Sequence, residues 1–278
     1  MPELPEVETV RRTLAARAGD RLLEEILWLD PRVLKDCGPE AFRALLPGHR
    51  IVRYGRRGKY LLLEMDHGPL LVVHLGMTGQ MLVVSPGDPV QPHTHLRIRL
   101  EGDQELRFRD VRRFGRLRLI PSGDPGEVPG LARMGPEPLD PAFTEEAWLK
   151  HLEGRRGTLK TLLLSQHFLA GIGNIYADES LFAAGLHPLR DLESLSREEK
   201  VRLYHSIRHI LKEAVGAGGS SIRDYVDSRG RQGSYQQAHR VYGRGGQNCM
   251  VCGTLLETCR LGGRTTVYCP CCQKEMGT

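Results

Sequence analysis

The first seven residues, MPELPEV, place an amine and carboxyl groups where they could react together. If the initiator methionine is removed, as is usual ahead of a small residue, the mature chain begins with Pro2. Its nitrogen is then a secondary amine with a pKa near that of an α-amino group, about 8, so an appreciable fraction is nucleophilic near neutrality. Attack by such an amine on a sugar C1′ gives an iminium ion with no proton to lose, an electron sink that permits elimination at neighbouring carbons. The competing reading is structural: Pro5 suits the first turn of a helix, and Glu6 and Glu8 complement its positive end. That reading leaves Pro2 unexplained.

The other reactive set is at the far end of the chain. Cys249 and Cys252 form one CxxC pair, and Cys269 and Cys272 form a second after sixteen intervening residues. Two thiolate knuckles closed by a hairpin fit one structural zinc ion, which folds a small module and leaves no coordination position for chemistry. A redox pair is the alternative. Cys259 and Cys271 leave open which thiols bind, while Cys37 reads as an inert small residue. The hairpin carries Arg260 and Arg264, a cationic tip suited to a phosphate backbone.

The hydrophobic pattern indicates what positions these groups. Val7, Val10 and Leu14 recur at helical spacing, with Gly19 as a stop. From Leu22 to about Ile120 short β-like runs alternate with Gly, Pro and Asp, which predicts an antiparallel sandwich or barrel. The stretch 121–142 is rich in Pro and Gly and reads as an interdomain linker. Beyond it the pattern turns helical, with Ser196 and Glu199 in a capping-box relation. A polar, glycine-rich segment of 216–240 then reads as a long mobile loop, of the kind often used for function.

Composition restricts the function classes. Hydrophobic residues at 40% and charged residues at 26% describe a globular chain rather than a disordered one. No apolar run approaches the roughly 18 residues needed to span a bilayer, and Glu3, Glu6 and Glu8 stand where a signal peptide would be basic and then apolar. A cytoplasmic address with reduced thiols is expected. The net charge is +5, but residues 150–278 hold 18 Lys and Arg against 12 Asp and Glu, which makes the C-terminal half the polyanion-binding candidate. Within the first half, RFRDVRRFGRLR concentrates six arginines, readable either as a patch for nucleic acid or as a solvated strand face.

MPELPEVET, RRGKYLLLE, HLGMTGQM, DVRRFGRL, GPEPL, AGIGNIYADESLFAAGLHP, VYGRGGQ and the terminal CxxC…CPxCQ arrangement occur in one order along essentially the whole chain. Together they resemble the bacterial formamidopyrimidine-DNA glycosylase family. The resemblance implies an α+β multidomain fold: an N-terminal β-sandwich catalytic domain with flanking helices over 1–130, and a linker over 131–142. A helical helix-two-turn-helix domain with a lesion-capping loop would follow over 143–240, and a four-cysteine zinc finger over 241–278. It implies a monomeric glycosylase and lyase of base excision repair that acts on oxidised purines in duplex DNA, nucleoid-associated when bound, with zinc and no organic cofactor.

By the same resemblance Pro2 is the nucleophile and Glu3 the acid that assists sugar opening. Lys59 serves proton transfer in β-elimination, Arg264 contacts phosphates flanking the lesion and serves δ-elimination, and Glu6 supports them. An extruded base leaves a hole in the duplex, which apolar wedges and an arginine can fill. Met77, Arg112 and Phe114 take those positions, although without the family Met77 and Phe114 read as core residues. Val111 stands where proline is commoner. Further DNA contacts are implied for His74, His93, Arg155, Lys160, Asn174 and Tyr242, and a base-capping role for Ser220, Ser221, Arg223 and Tyr225. Thr265 stands where the family usually has glycine. Two rival readings are the related endonuclease VIII type, which also starts with Pro-Glu but prefers oxidised pyrimidines, and a non-catalytic zinc-ribbon protein that binds nucleic acid.

Overall fold

The computed structural model describes residues 1–274, so 275–278 of the expected zinc-finger span lie outside it. Two compact units are present: Met1–Arg133 with Ala217–Gln236, and Met134–Gly216 with Gln237–Thr278.

In the first unit, helix α1 (Leu4–Ala18) starts at a capping box. Glu6 Oε2 accepts the Glu3 N–H at 2.8 Å, and the Glu3 carboxylate accepts from the Glu6 backbone. The helix ends at Gly19, whose φ of +58° suits a residue without Cβ. Strand β1 (Leu23–Leu29), helix α2 (Pro39–Leu45) and strands β2 (Ile51–Arg57), β3 (Tyr60–Met65), β4 (Leu70–His74), β5 (Gly79–Val84), β6 (Thr94–Leu100), β7 (Gln104–Asp110) and β8 (Arg116–Ile120) follow. They form two four-stranded antiparallel sheets, β1-β6-β7-β5 and β2-β3-β4-β8.

One core joins these sheets to α1. Val7, Val10 and Leu14 of the helix meet Leu61, Leu63, Val73 and Leu117 of one sheet and Met81, Val83, Leu96 and Phe108 of the other. In β3 the period-2 alternation buries Leu61, Leu63 and Met65 and leaves Tyr60, Leu62 and Glu64 half-buried. Each buried aliphatic contributes about 1.5–3 kcal/mol relative to exposure. A charge at Leu63 would therefore open the sandwich. The short helix α3 (Pro129–Ala132) lies inside the stretch that reads as linker.

The segment 217–236, expected with the helical domain, packs instead within the first unit. Its anchors are local and specific. Tyr225 enters the sandwich core. Val83 N–H donates to Ser228 O at 3.1 Å, and Ser228 N–H donates to Thr13 Oγ1 at 3.1 Å. Polar, glycine-rich composition indicates a loop, and apart from a short 3-10 turn that begins at Tyr235 the segment is irregular, but these few buried anchors dock it.

The second unit contains α4 (Glu145–Leu152), α5 (Leu159–Leu164), α6 (Asn174–Ala183), α7 (Arg197–Gly216) and a hairpin of β9 (Glu257–Leu261) and β10 (Arg264–Tyr268). Ser196 and Glu199 make the expected capping box, each backbone N–H donating to the other's side chain at 2.9 and 3.2 Å. Trp148 lies at the centre, edge-on to Phe143 and Phe168 at ring separations of 6.2 and 5.9 Å. Among the described residues no helix is long and apolar enough to cross a membrane.

Candidate active site and nucleic-acid interface

Pro2, Glu3 and Glu6 are buried at the start of α1, while Met1 is exposed. Both carboxylates therefore sit at the positive end of a helix. Glu6 divides its two oxygens. Oε2 holds the Glu3 N–H, and Oε1 accepts the Ser220 N–H at 2.7 Å. Gly219 is obligatory here: its φ is +80°, and a Cβ would lie 2.7 Å from Glu6 Oε1.

Lys59, also buried, occupies the turn between β2 and β3. Arg56 ties that turn to α1, donating to Glu8 Oε2 at 3.2 Å and to Gly58 O at 3.1 Å. Burial would raise the pKa of Glu8, but hydrogen bonds from Arg11 and Arg12, with the charges of Arg11 and Arg56, hold it at about 2. Burial, then the positive charges of Lys59 and Arg116, push His74 down to about 4. His74 is neutral at pH 7, and its Nδ1 accepts the Gly76 N–H at 3.1 Å. It thus organises the approach to Met77, and Lys59 is close enough to influence its titration.

Met77 and Phe114 are not core residues: they are 37% and 48% exposed, with Val111 at 40% beside them. The Arg112 guanidinium lies 4.6 Å from the Phe114 ring centroid, a cation–π contact. Asp110, wholly buried, holds this tip by accepting from the Thr78 hydroxyl, from Gly115 N–H at 2.7 Å and from Arg112 N–H at 3.3 Å. A Cβ on Gly76 would come within 2.5 Å of Gly115 N, so the two turns meet backbone to backbone. His93 is exposed, and its carbonyl accepts the Asp110 N–H at 3.0 Å.

Most of the RFRDVRRFGRLR arginines have internal partners. Arg107 is buried on Glu105 at 2.8 Å, Arg109 donates to Gln80 and Pro92, and Arg118 pairs with Asp36. The segment is a scaffold that presents Arg112 rather than a uniform phosphate patch.

In the second unit the expected DNA role of Lys160 is corrected. It is fully buried, with Nζ 2.5 Å from Asp178 Oδ1 and 3.1 Å from Asn174 O, so it presents no surface to a phosphate. Burial raises Asp178 to about 6 against the pull of Lys160. Asn174, half-buried at the start of α6, donates its amide to Thr265 O at 2.7 Å. Its side chain ties the helix to β10, although its backbone still opens a helix N-terminus. Glu179 accepts the N–H groups of Arg240, Val241 and Tyr242 at 2.9, 3.0 and 2.8 Å. Tyr242 is half-buried, and Arg155 is exposed with its guanidinium 5.5 Å from the Phe168 ring. Arg264 is exposed immediately after the Gly262-Gly263 turn, where φ values of +55° and +73° give the tight turn a two-residue hairpin needs. Thr265 fits the strand without disturbing it.

Among the loop residues, Ser220 and Tyr225 are anchors rather than exposed base contacts. Ser220 is held by Glu6, and the Tyr225 hydroxyl donates to Gly218 O at 3.0 Å and Glu6 O at 3.3 Å. Ser221 Oγ donates to Tyr225 O and accepts Gly233 N–H, both at 2.9 Å. Ile222, Arg223 and Asp224 are the exposed residues between these anchors.

The Sγ atoms of Cys249, Cys252, Cys269 and Cys272 all lie within 4.8 Å of one another, with pairs at 3.9 and 3.4 Å. Zn–S bonds of about 2.3 Å in a tetrahedron place sulfurs about 3.8 Å apart, so the four fit one zinc ion. The Val251 and Cys272 N–H groups each point at a ligand sulfur at 3.4 Å. Cys259 and Cys271 stand outside the cluster, which settles the ligand set. Gln273 locks the second knuckle to the helices, its Nε2 donating to Leu186 O at 2.9 Å.

Asp110, Asp178, Glu179 and Gln80 escaped sequence reasoning. Each acts on at least one group distant in sequence. Their only signal was a polar residue embedded in an otherwise informative motif.

Residues 1–117 match the family model described as Formamidopyrimidine-DNA glycosylase N-terminal domain. Residues 134–226 match its H2TH domain, and 246–274 match the zinc finger found in FPG and IleRS. A Formamidopyrimidine-DNA glycosylase of Moorella thermoacetica is 49% identical over 260 residues, 94% of this chain and 95% of that protein. The crystal structure of the MutM (Fpg) protein from Thermus thermophilus superposes with a TM-score of 0.85 at 44% identity, covering 99% of this chain and all of that one. A Lactococcus lactis Fpg complex with DNA containing N7-benzyl-Fapy-dG gives a TM-score of 0.89 at 36% identity, covering 98% of this chain and 100% of the other.

Proposed function

The chain belongs to the formamidopyrimidine-DNA glycosylase family, and from that premise we propose that Pro2 is its nucleophile on damaged duplex DNA. The protein is a bifunctional DNA glycosylase and AP lyase, with damaged double-stranded DNA as its partner and one structural zinc ion. The observation that carries the residue assignment is the buried start of α1, where Pro2 adjoins Glu3 and Glu6 at a helix N-terminus.

Once Met1 is removed, the Pro2 nitrogen attacks C1′ of the damaged nucleotide. The C1′–N bond breaks, the base leaves with a proton, and Glu3 protonates the ring oxygen so that the sugar opens to an iminium. Loss of a C2′ proton, with Lys59 as the nearby proton carrier, expels the 3′ phosphate. A second elimination expels the 5′ phosphate, with Arg264 stabilising the departing anion. Arg112 hydrogen-bonds the unpaired base opposite the lesion, and Met77 and Phe114 fill the hole. Their exposure on a backbone held by Asp110 supports this reading. His93, Arg155, Tyr242 and the N-terminus of α6 at Asn174 contact phosphates, and the 217–236 loop covers the extruded purine through its exposed stretch Ile222, Arg223 and Asp224. The zinc presents Arg264 by folding the β9–β10 module. Such an enzyme works on the nucleoid of the cytoplasm.

The test is covalent trapping. Borohydride should reduce the iminium and link the protein to duplex DNA carrying 8-oxoguanine opposite cytosine, with the adduct mapping to Pro2. An uncleaved N-terminal extension should abolish it. Trapping at full yield with the Pro2 nitrogen blocked would overturn the assignment, and comparable turnover of thymine glycol would remove the purine preference.

A further inference from the structure

Strand β5 lies at the edge of its sheet and carries the docked loop along its free side. Gln80, the second residue of β5, is buried, and both ends of its amide are used. Arg109 Nη1 donates to Gln80 Oε1 at 3.2 Å, and Gln80 Nε2 donates to Asp224 O at 2.5 Å. The amide orientation is fixed chemically: a guanidinium only donates, so the oxygen must face Arg109 and the nitrogen must face the carbonyl. Arg109 is itself fixed, its Nε donating to Pro92 O at 3.1 Å. The loop is thus held at Ser220 by Glu6, at Ser228 by Val83, and between them at Asp224 by Gln80. Asp224 is exposed, as are its neighbours Ile222 and Arg223.

We propose that Gln80 is a positioning residue for base excision: its amide fixes the part of the loop that meets the extruded base and takes no part in the sugar chemistry. This inference rests on the reading that the loop covers the base. It makes a clean division, because an abasic site has no base to cover.

The experiment uses the full zinc-loaded chain and two duplexes, one with 8-oxoguanine opposite cytosine and one with a preformed abasic site. Gln80→Ala should slow base release about fivefold, the equivalent of one net hydrogen bond, and leave abasic-site cleavage unchanged. Gln80→Glu keeps the length and the Arg109 contact but sets a carboxylate oxygen against the Asp224 carbonyl, so it should lose at least as much. In both variants trypsin should cut faster at Arg223, Arg229 and Arg231, with no change elsewhere. Equal losses on both duplexes, wild-type behaviour of Gln80→Glu, or an unchanged tryptic rate at those arginines would overturn the proposal. If the wild-type chain cuts abasic DNA but releases no oxidised purine, the substrate reading fails, while the tryptic comparison still decides whether Gln80 holds the loop.

Discussion

Replacing Asp178 by alanine should damage the second unit more than any surface change. Lys160 would keep its ammonium fully buried and lose the carboxylate 2.5 Å away, retaining the Asn174 carbonyl at 3.1 Å. Removing one member of a buried ion pair costs about 3–5 kcal/mol. The Val267 N–H would lose its acceptor as well, adding about 1 kcal/mol. With a urea dependence of about 2 kcal/mol per molar for a unit of this size, the midpoint should fall by roughly 2–3 M. The chain has two tryptophans, and Trp148 lies in this unit, so a Trp28→Phe background makes fluorescence report on it alone. The measurement belongs at about pH 7.5, above the raised pKa of Asp178, where the carboxylate is ionised. A Lys160→Met, Asp178→Leu double variant, which replaces the ions by apolar side chains, should be distinctly more stable than Asp178→Ala. The reasoning is refuted if the single variant costs under about 1 kcal/mol, or if the double variant is no better, since the ammonium would then have found water.

Two other expectations concern metal and pH. Chelation of zinc should unfold the cysteine module and weaken affinity for damaged duplex, measured by fluorescence anisotropy; full affinity after complete metal removal would contradict the structural role of the site. Glu8, held at about 2 in the folded chain against an ordinary value of 4.5, contributes stability that is fully present above about pH 4.5 and is lost as pH falls toward 2. Wild-type and Glu8→Gln urea midpoints should therefore differ at neutral pH and converge in acid, and parallel curves would show that the arginine cage does not hold this carboxylate.

What could be read from the sequence was whatever lies close along the chain. α1 and its glycine stop follow from local spacing, as does the Ser196 capping box, and the zinc ligands follow from two CxxC pairs. Placement across long separations could not be read. The resemblance implied a phosphate contact for Lys160, yet its partner Asp178 is eighteen positions away on another helix and both are buried. Tyr225 and Ser220 looked like parts of a mobile loop, and each has a partner in Glu6, more than two hundred residues upstream. Met77 and Phe114 show the reverse, apolar residues that composition assigns to a core and that a buried aspartate holds outward.

The chain leaves its first unit after Arg133, returns at Ala217 and departs again after Gln236. During synthesis the sandwich emerges from the ribosome early but lacks the piece that covers the first turn of α1 until nearly the whole polypeptide has been made. A product stalled short of that return would carry the reactive end without its cover, and a protease cut near residue 216 would sever a fragment that neither half replaces by itself. Completion of the first unit is therefore tied to the translation of most of the second.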